Sequence, residues 1–582
     1  MRSEDLVFRH FCIIFALMFK ITDRMKRLFL SPLMLFVWTM VALAVPNVAL
    51  AFTEDLPLLP ALAQIVLPLA LYALVFSLSR KTGKMVWWLF LFIFFAAFQI
   101  VLLFLFGNSI IGVDMFLNVL TTNPSEAFEL LGNLLTGIAT VVALYVPSLV
   151  GATMQLVKHR EMPASFMKPL RRWALGGVAA GALFLGLGLW TLPSYRPLCD
   201  LYPLNVMYNV ELTGERLYDA AHYDETSANF KFHAATTHSA DSAEVYVLLL
   251  GETARADHFQ LYGYNRPTTP RLLADTAQMV WFPDVLTESN TTHKSVPMLL
   301  TAASASDYNR IYRERGILTA FKEAGFHTAF FSNQRRNHSF IDALGEEADE
   351  VVFLKDDGAE HFDAELLGLT SKLLSAGHKR LFIVVHLYGS HFVYRERYQP
   401  SAAHFLPDEP TAARKANRPS LVNAYDNTIL TADHVVDSLY RQTAATGART
   451  ALLYTSDHGE NIYDDSRELF LHASPRPSCY DMMVPLLVFT SPAYRQAYPQ
   501  AVAAMKRNRQ QPVSSQASVF HTMLSLAGIT SPSYVDSLSL ASPAYSCKQR
   551  FYLNDHNEPV GLRNLKLTDE DFAVFRKRGI RY

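Results

Sequence analysis

Glu244-Val-Tyr-Val-Leu-Leu-Leu250-Gly251-Glu252-Thr253 is the stretch from which the fold can be read. Six of the seven residues from Glu244 to Leu250 are apolar or aromatic. Such a run predicts a strand buried on both faces of a parallel sheet. Gly251 ends it and an acid follows at once. Ligands of open α/β sheets bind outside the carboxyl ends of the strands, so Glu252 stands where a metal or a phosphate would be held. Three later runs repeat the pattern. Arg380-Leu-Phe-Ile-Val-Val385 leads into His386 and Gly389-Ser390-His391. Thr450-Ala-Leu-Leu-Tyr-Thr-Ser456 leads into Asp457-His458-Gly459. Thr328-Ala-Phe-Phe331 leads into Ser332-Asn333.

From Asp241 onward, strand patterns alternate with candidate helices at 314–324, 364–376, 422–442 and 514–526, and Val484–Thr490 is a further buried strand. This alternation predicts an α/β sandwich with a mostly parallel sheet over residues 241–582. Residues 196–240 are mixed and weakly periodic, and read as a linker with amphipathic helices on a membrane surface. No repeat or low-complexity segment is evident.

The first third differs in composition. Of 582 residues, 50% are hydrophobic and 18% charged, and the net charge is -1. This balance gives no sign of nucleic-acid binding. The apolar run Phe11–Phe19 is too short to span a bilayer and no small-residue cleavage site follows it, which argues against a cleaved signal peptide. Five longer runs, at about 28–52, 57–79, 85–107, 133–156 and 173–194, predict a bundle of five transmembrane helices within residues 1–195. The connections alternate in charge. Arg24, Lys26 and Arg27 precede the first run, and Glu54 and Asp55 follow it. Arg80, Lys81 and Lys84 come next, then Asp114 and Glu126, then Lys158, Arg160, Lys168, Arg171 and Arg172. Under the positive-inside rule the N-terminus is cytoplasmic and everything past about residue 195 lies outside, with Trp190 and Tyr195 as interfacial anchors. The four cysteines (Cys12, Cys199, Cys479, Cys547) lack C-x-x-C spacing, so a cysteine-rich zinc site is not expected. In an oxidising compartment Cys199 and Cys547 have the option of pairing; buried free thiols are the alternative.

Asp457-His458-Gly459-Glu460 offers a carboxylate and an imidazole side by side, both ligand types that zinc takes. With Glu252 at another strand end, these residues read as a metal site. Glu288-Ser289-Asn290-Thr291-Thr292 leads through Ser295 and Pro297 into an apolar run and looks like a helix start. A hydroxyl there serves as an N-cap. It serves equally as a nucleophile, because a helix N-terminus favours a phosphoryl anion and a metal stabilises an alkoxide. Residue types alone do not choose between Thr291 and Thr292. His391 and His472 are candidates for phosphate contact or a second metal.

Taken together, these residues resemble the phosphoethanolamine transferases of Gram-negative envelopes. Those are five-helix inner-membrane proteins with a periplasmic domain of the alkaline-phosphatase/sulfatase type. The matching stretches are Gly251–Arg255, Gly263–Leu272, Thr292 through Pro297, Ser332–Gln334, His386 through His391, Tyr425–Asn427, Ser456–Glu460 and Leu471-His472, with Thr121–Glu126 resembling a family loop. The resemblance implies zinc, one ion or more, held by Glu252, Thr292, Asp457 and His458. It implies Thr292, five residues before Pro297, as the nucleophile that becomes phosphorylated. His391 is implied as catalytic, His391 and His472 as second-metal or phosphate ligands, and Asn333 as a headgroup contact. The implied partners are a phosphatidylethanolamine donor and a lipopolysaccharide acceptor, lipid A or core, for a monomer integral to the inner membrane. Lipid A-modifying members usually carry cysteines near the nucleophile, and here Glu288 and Met298 stand in that neighbourhood, so most of their domain-stapling disulfides are missing. The segment Tyr262–Tyr264 and His386-Leu-Tyr-Gly389 look more like the branch acting on core sugars. A sulfatase nucleophile needs a C/S-x-P-x-R setting, which Thr292 lacks. Other readings are a glycerol-phosphate transferase or phosphodiesterase of the same fold, and a non-catalytic lipid-binding envelope protein.

Overall fold

A computed structural model describes residues 31–54, 56–107, 109–121, 135–337 and 339–582. Outside the described residues lie the Phe11–Phe19 run, Cys12, Arg24, Lys26, Arg27, Asp55 and the loop from Thr122 to Glu126. The chain divides into two compact units, residues 1–116 with 124–212, and residues 117–123 with 213–582.

The first unit is helical. Helices α1 (Pro32–Thr53), α2 (Leu58–Phe76), α5 (Leu135–Val157) and α6 (Ala164–Thr191) are each long and apolar enough to cross a membrane. The expected crossing at 85–107 is a bent pair, α3 (Thr82–Trp88) and α4 (Phe90–Phe106), meeting at 60°. Neither proline nor glycine stands at the break. Leu89, with φ −89° and ψ 7°, lies in the sparsely allowed bridge region and interrupts the helical ladder. Glycines let α6 approach α2 closely, as small residues do between membrane helices. A Cβ on Gly181 would stand 2.8 Å from the Cα of Leu67, and one on Gly177 would stand 2.9 Å from the Cβ of Ala70. Of the two expected interfacial aromatics, Trp190 is 81% exposed but Tyr195 is buried at 4%. The expected linker contains an 18-residue helix, α7 (Leu204–Ala221). Among the described residues, Cys479 and Cys547 are free thiols.

The second unit is built on one seven-stranded sheet: β1 (Glu244–Gly251), β2 (Met279–Trp281), β3 (His327–Ser332), β4 (Glu350–Phe353), β5 (Arg380–His386), β6 (Arg449–Ser456) and β7 (Leu486–Thr490), in the order β2-β7-β6-β1-β5-β3-β4. Five adjacent strands from β6 to β4 are parallel, and β7 alone runs antiparallel to both neighbours. The continuous apolar run of β1 follows from its central position. Tyr246, Leu248 and Leu250 enter one hydrophobic core with Phe321, Phe520 and Leu299. Val245, Val247 and Leu249 enter the other with Tyr425, Ile429 and Val435 on the opposite face. Alternate side chains of a strand point to opposite faces, so a strand covered on both sides must be apolar throughout. Helix α8 (Thr292–Leu300) and α10 (Ser515–Leu526) pack on the first face, and α9 (Arg418–Ala445) packs on the second.

Candidate active site

The carboxyl ends of β1, β5, β6 and β3 finish nearly in one row. Gly251 pairs with Ser456, Leu250 with His386, and Ser332 with His386. Backbone bonds tie the loops beyond that row to one another: Asp457 N–H donates to Gly251 O (3.1 Å), Leu387 N–H to Leu250 O (2.9 Å) and Ser390 N–H to Glu252 O (2.9 Å). Gly389 makes the last approach possible. Its φ is +50°, and a Cβ there would lie 2.7 Å from Glu252 O and 2.9 Å from Glu252 N. Thr253, a non-glycine residue at φ +52°, is held by its N–H donating to Asp457 Oδ1 at 3.0 Å.

These loops bring together Glu252, Asp457, His458 and Thr292. Thr291 adopts the extended backbone of an N-cap, and Thr292 is the first residue of α8. The structure thus separates the two hydroxyls. Thr291 turns its hydroxyl to Ser289 Oγ at 3.2 Å, whereas Thr292 Oγ1 donates to Glu252 Oε1 at 3.1 Å and lies 3.2 Å from His458 Nε2. Glu252, Asp457 and His458 have no exposed surface; Thr292 is partly exposed and can meet a substrate. The Gly459 carbonyl at 2.9 Å takes the Nδ1 proton of His458, which leaves the Nε2 lone pair facing Asp457 Oδ2 at 3.2 Å and Glu252 Oε1 at 3.7 Å. Burial holds the His458 imidazole neutral, with its pKa pushed down to about 4 against the pull of Asp457. Burial, with the charge of Asp457 second, pushes Glu252 well above the usual carboxylate range.

The donor set fits a metal ion. Asp457 Oδ1 accepts from the N–H groups of Thr253 and His458, while the buried Oδ2 has no hydrogen-bond partner. A buried carboxylate oxygen left so is costly without a cation. Glu252, His458 and His472 each offer one ligand atom, all within 4.8 Å of one another. His472 returns to the site on a short hairpin in which Asn461–Ile462 pairs with Phe470–Leu471, and its Nδ1 contacts Glu460 Oε1 at 3.1 Å. His391 stands beyond it, with ring centroids 6.3 Å apart and its Nδ1 held by Phe392 O at 2.7 Å. Asn333 belongs to a neighbouring hydrogen-bond group. It is buried and donates to Asp363 Oδ1 (2.8 Å) and His361 O (3.1 Å); Asp363 in turn accepts from the N–H groups of Tyr388 and Gly389.

Several supporting residues are given no role by the sequence. Gln334 donates to Glu252 Oε2 at 3.4 Å and to Leu387 O at 3.3 Å. Gln516, on α10, bonds Thr287 Oγ1 and Ser295 Oγ and accepts from Glu288 N–H, tying the strand-to-α8 turn to Asp457 O. Arg255 is buried, forked onto Asp257 and paired with Asp464, and braces the loop after His458 by donating to Glu460 O. Only the Gly-Glu-Thr-Ala-Arg motif hinted at Arg255.

Residues 244–529 match the Sulfatase family. Phosphoethanolamine transferase EptA of Salmonella typhimurium is 29% identical over 318 residues, which are 50% of this chain and 55% of that relative. The chain thus spans little more than half the length of that curated relative. The structure of the integral membrane protein lipooligosaccharide phosphoethanolamine transferase A from Neisseria meningitidis superposes with a TM-score of 0.70 at 21% identity, covering 87% of this chain and 98% of that one. The C-terminal periplasmic domain of EptC from Escherichia coli, in complex with Zn, superposes with a TM-score of 0.53 at 24% identity over 58% of this chain and 97% of that one. The resemblance read from the motifs is borne out, and so is the fold: apolar N-terminal helices followed by a sulfatase-like domain with a mostly parallel central sheet.

Proposed function

We propose that this chain, with its sulfatase-type domain and its phosphoethanolamine-transferase relatives, moves phosphoethanolamine from phosphatidylethanolamine to lipopolysaccharide, on lipid A or the core. The convergence of Thr292 Oγ1, Glu252 Oε1, His458 Nε2 and the unpartnered Asp457 Oδ2 carries this reading. Glu252, Thr292, Asp457 and His458 would hold zinc, which when bound favours a deprotonated hydroxyl near neutral pH. The zinc complex of the EptC domain supports the choice of metal.

The chemistry is a double displacement. Thr292 Oγ1 attacks the donor phosphorus. The Oγ1–P bond forms as the bond from phosphorus to the diacylglycerol oxygen breaks, and that oxygen takes up a proton as diacylglycerol leaves. An acceptor oxygen then attacks the phosphorus of phospho-Thr292, loses its proton, and releases the threonine. The start of α8 favours the phosphoryl anion, because the positive end of the helix dipole lies there. His391 and His472 bind the phosphoryl oxygens or a second metal ion. Asn333 acts through Asp363, by fixing the 387–391 loop.

In this reading residues 1–195 anchor a monomer in the inner membrane, 196–240 link, and 241–582 work in the periplasm. A donor that resides in the bilayer explains the anchor. Mass spectrometry of lipopolysaccharide from cells with and without the protein tests the reading. A gain of one phosphoethanolamine is expected, and its location names the acceptor. Full-length protein given phosphatidylethanolamine alone should carry the phosphoethanolamine mass on the peptide containing Thr292. Unaltered lipopolysaccharide, or the mass on another residue, overturns it.

A further inference from the structure

At the other end of the sheet, three potential metal ligands meet on three separate chain segments. His327 opens β3, Glu350 opens β4, and His378 lies two residues before β5, just after Gly377, whose φ of +79° turns the chain. The rings of His327 and His378 stack with centroids 3.9 Å apart and planes within 4°. His327 Nε2 lies 2.9 Å from Glu350 Oε1. One ligand atom from each of the three residues falls within 4.8 Å of the others. Both imidazoles are partly exposed and Glu350 is exposed, so an ion can enter from solvent. The nearby Asp349 holds Thr328 N–H and Oγ1, each at 2.9 Å, and Lys322 at 3.0 Å, which fixes the starts of β3 and β4. Asp349 Oδ2 also stands 3.7 Å from His327 Nδ1 and adds negative charge beside the group.

We infer that His327, His378 and Glu350 form a second metal site, for a borderline divalent cation of the zinc class, remote from the candidate active site. Two imidazoles and one carboxylate suit such an ion, with water completing its coordination. The parallel strands run from this cluster towards Glu252, and at the rise of a β-strand the six residues of β3 separate the two ends by about 20 Å. The site is therefore independent of the transfer chemistry. It would clasp the first residue of β4, a four-residue edge strand, to β3 and to the turn before β5. An ion bound only by the folded chain raises stability by mass action.

Full-length protein in detergent, equilibrated with Zn2+ and freed of excess, tests the site by zinc content and by thermal unfolding. Wild-type protein should hold one more zinc than H327A/H378A, and only wild-type should gain melting temperature from that ion. Because the difference is taken between these two proteins, it does not depend on whether Asp457 holds zinc. Equal zinc content in the two overturns the inference. Should the double variant not fold, E350A carries the test by calorimetry: it should weaken this site by at least the about 10-fold that even an outer-sphere partner costs. Unchanged affinity in E350A overturns the inference as well.

Discussion

The backbone N–H of Thr253 donates to Asp457 Oδ1 at 3.0 Å, and that bond commits one carboxylate oxygen while the other is left bare. Asp457→Asn preserves the shape and one acceptor but replaces the second oxygen or its twin with an amide nitrogen that has no lone pair to give. Full-length wild-type protein should purify with about one tightly held zinc in a four-ligand site. The variant should lose most of it, a fall in affinity of about 10-fold or more. Undiminished zinc in Asp457→Asn would show that the ligands are others.

Thr292 is the first helical residue rather than the cap. Thr292→Ala should therefore cost less than the about 1 kcal/mol of a lost N-cap, while abolishing transfer. Thr292→Ser keeps a hydroxyl and should retain part of the activity. Wild-type turnover by the alanine variant would end the case for Thr292 as nucleophile.

Gly389 is a sensitive position outside the ligand set. In Gly389→Ala the new methyl group meets backbone atoms of Glu252, which cannot swing away, and φ of +50° is itself strained for alanine. A loss of about 1–3 kcal/mol in stability is expected. Zinc retention should fall with it, because Glu252 must shift. Denaturant unfolding and metal content measured together check both effects; a variant as stable as wild type would contradict the close approach.

Glu288 gives a pH dependence that can be read on stability. Burial raises its pKa from the ordinary 4.5 to about 7, and only the Ala305 N–H at 2.9 Å opposes the shift. A raised carboxyl pKa means that the folded chain holds the proton longer than the unfolded one. Its contribution is fully present below about pH 4.5 and is lost as pH rises to 7. The whole change amounts to about 3 kcal/mol. Glu288→Gln cannot ionise, so its advantage over wild type should grow through that window and level off above it. Parallel pH profiles of wild type and variant would refute the assignment.

The alternation of basic and acidic connections predicts topology. A reporter active only outside the cytoplasm should work when fused after residue 240 and fail when fused near residue 82. The reverse pattern would rule out the five-crossing arrangement.

The strands were legible because burial on both faces demands an unbroken apolar run, and β1, β5 and β6 each end where a polar residue begins. The start of α8 was legible from its polar cluster. Residue types alone did not say which threonine turns towards Glu252, since successive residues on a helix differ by about 100° in direction; the family spacing to Pro297 named Thr292. Gln516 and Asp363 were invisible, and Gln334 had only its motif, for another reason: an amide or acid has no role until a distant segment folds against it. The bend at Leu89 was also beyond sequence reading, because neither proline nor glycine marks it. His472 was found by its motif, but only the Asn461–Leu471 hairpin explains how it comes within reach of His458.

The common finishing row of β1, β5 and β6 also constrains how such a chain can change over generations. Inserting or deleting one residue within any of these strands would exchange the side chains of its two core faces and carry its terminal ligand a step out of line. Length variation is therefore confined to the excursions that leave the row and come back, such as the connection between Ile462 and Phe470. Descendants of this sequence can lengthen, shorten or redecorate those excursions, and so alter what they recognise, while Glu252, Asp457 and His458 keep their places.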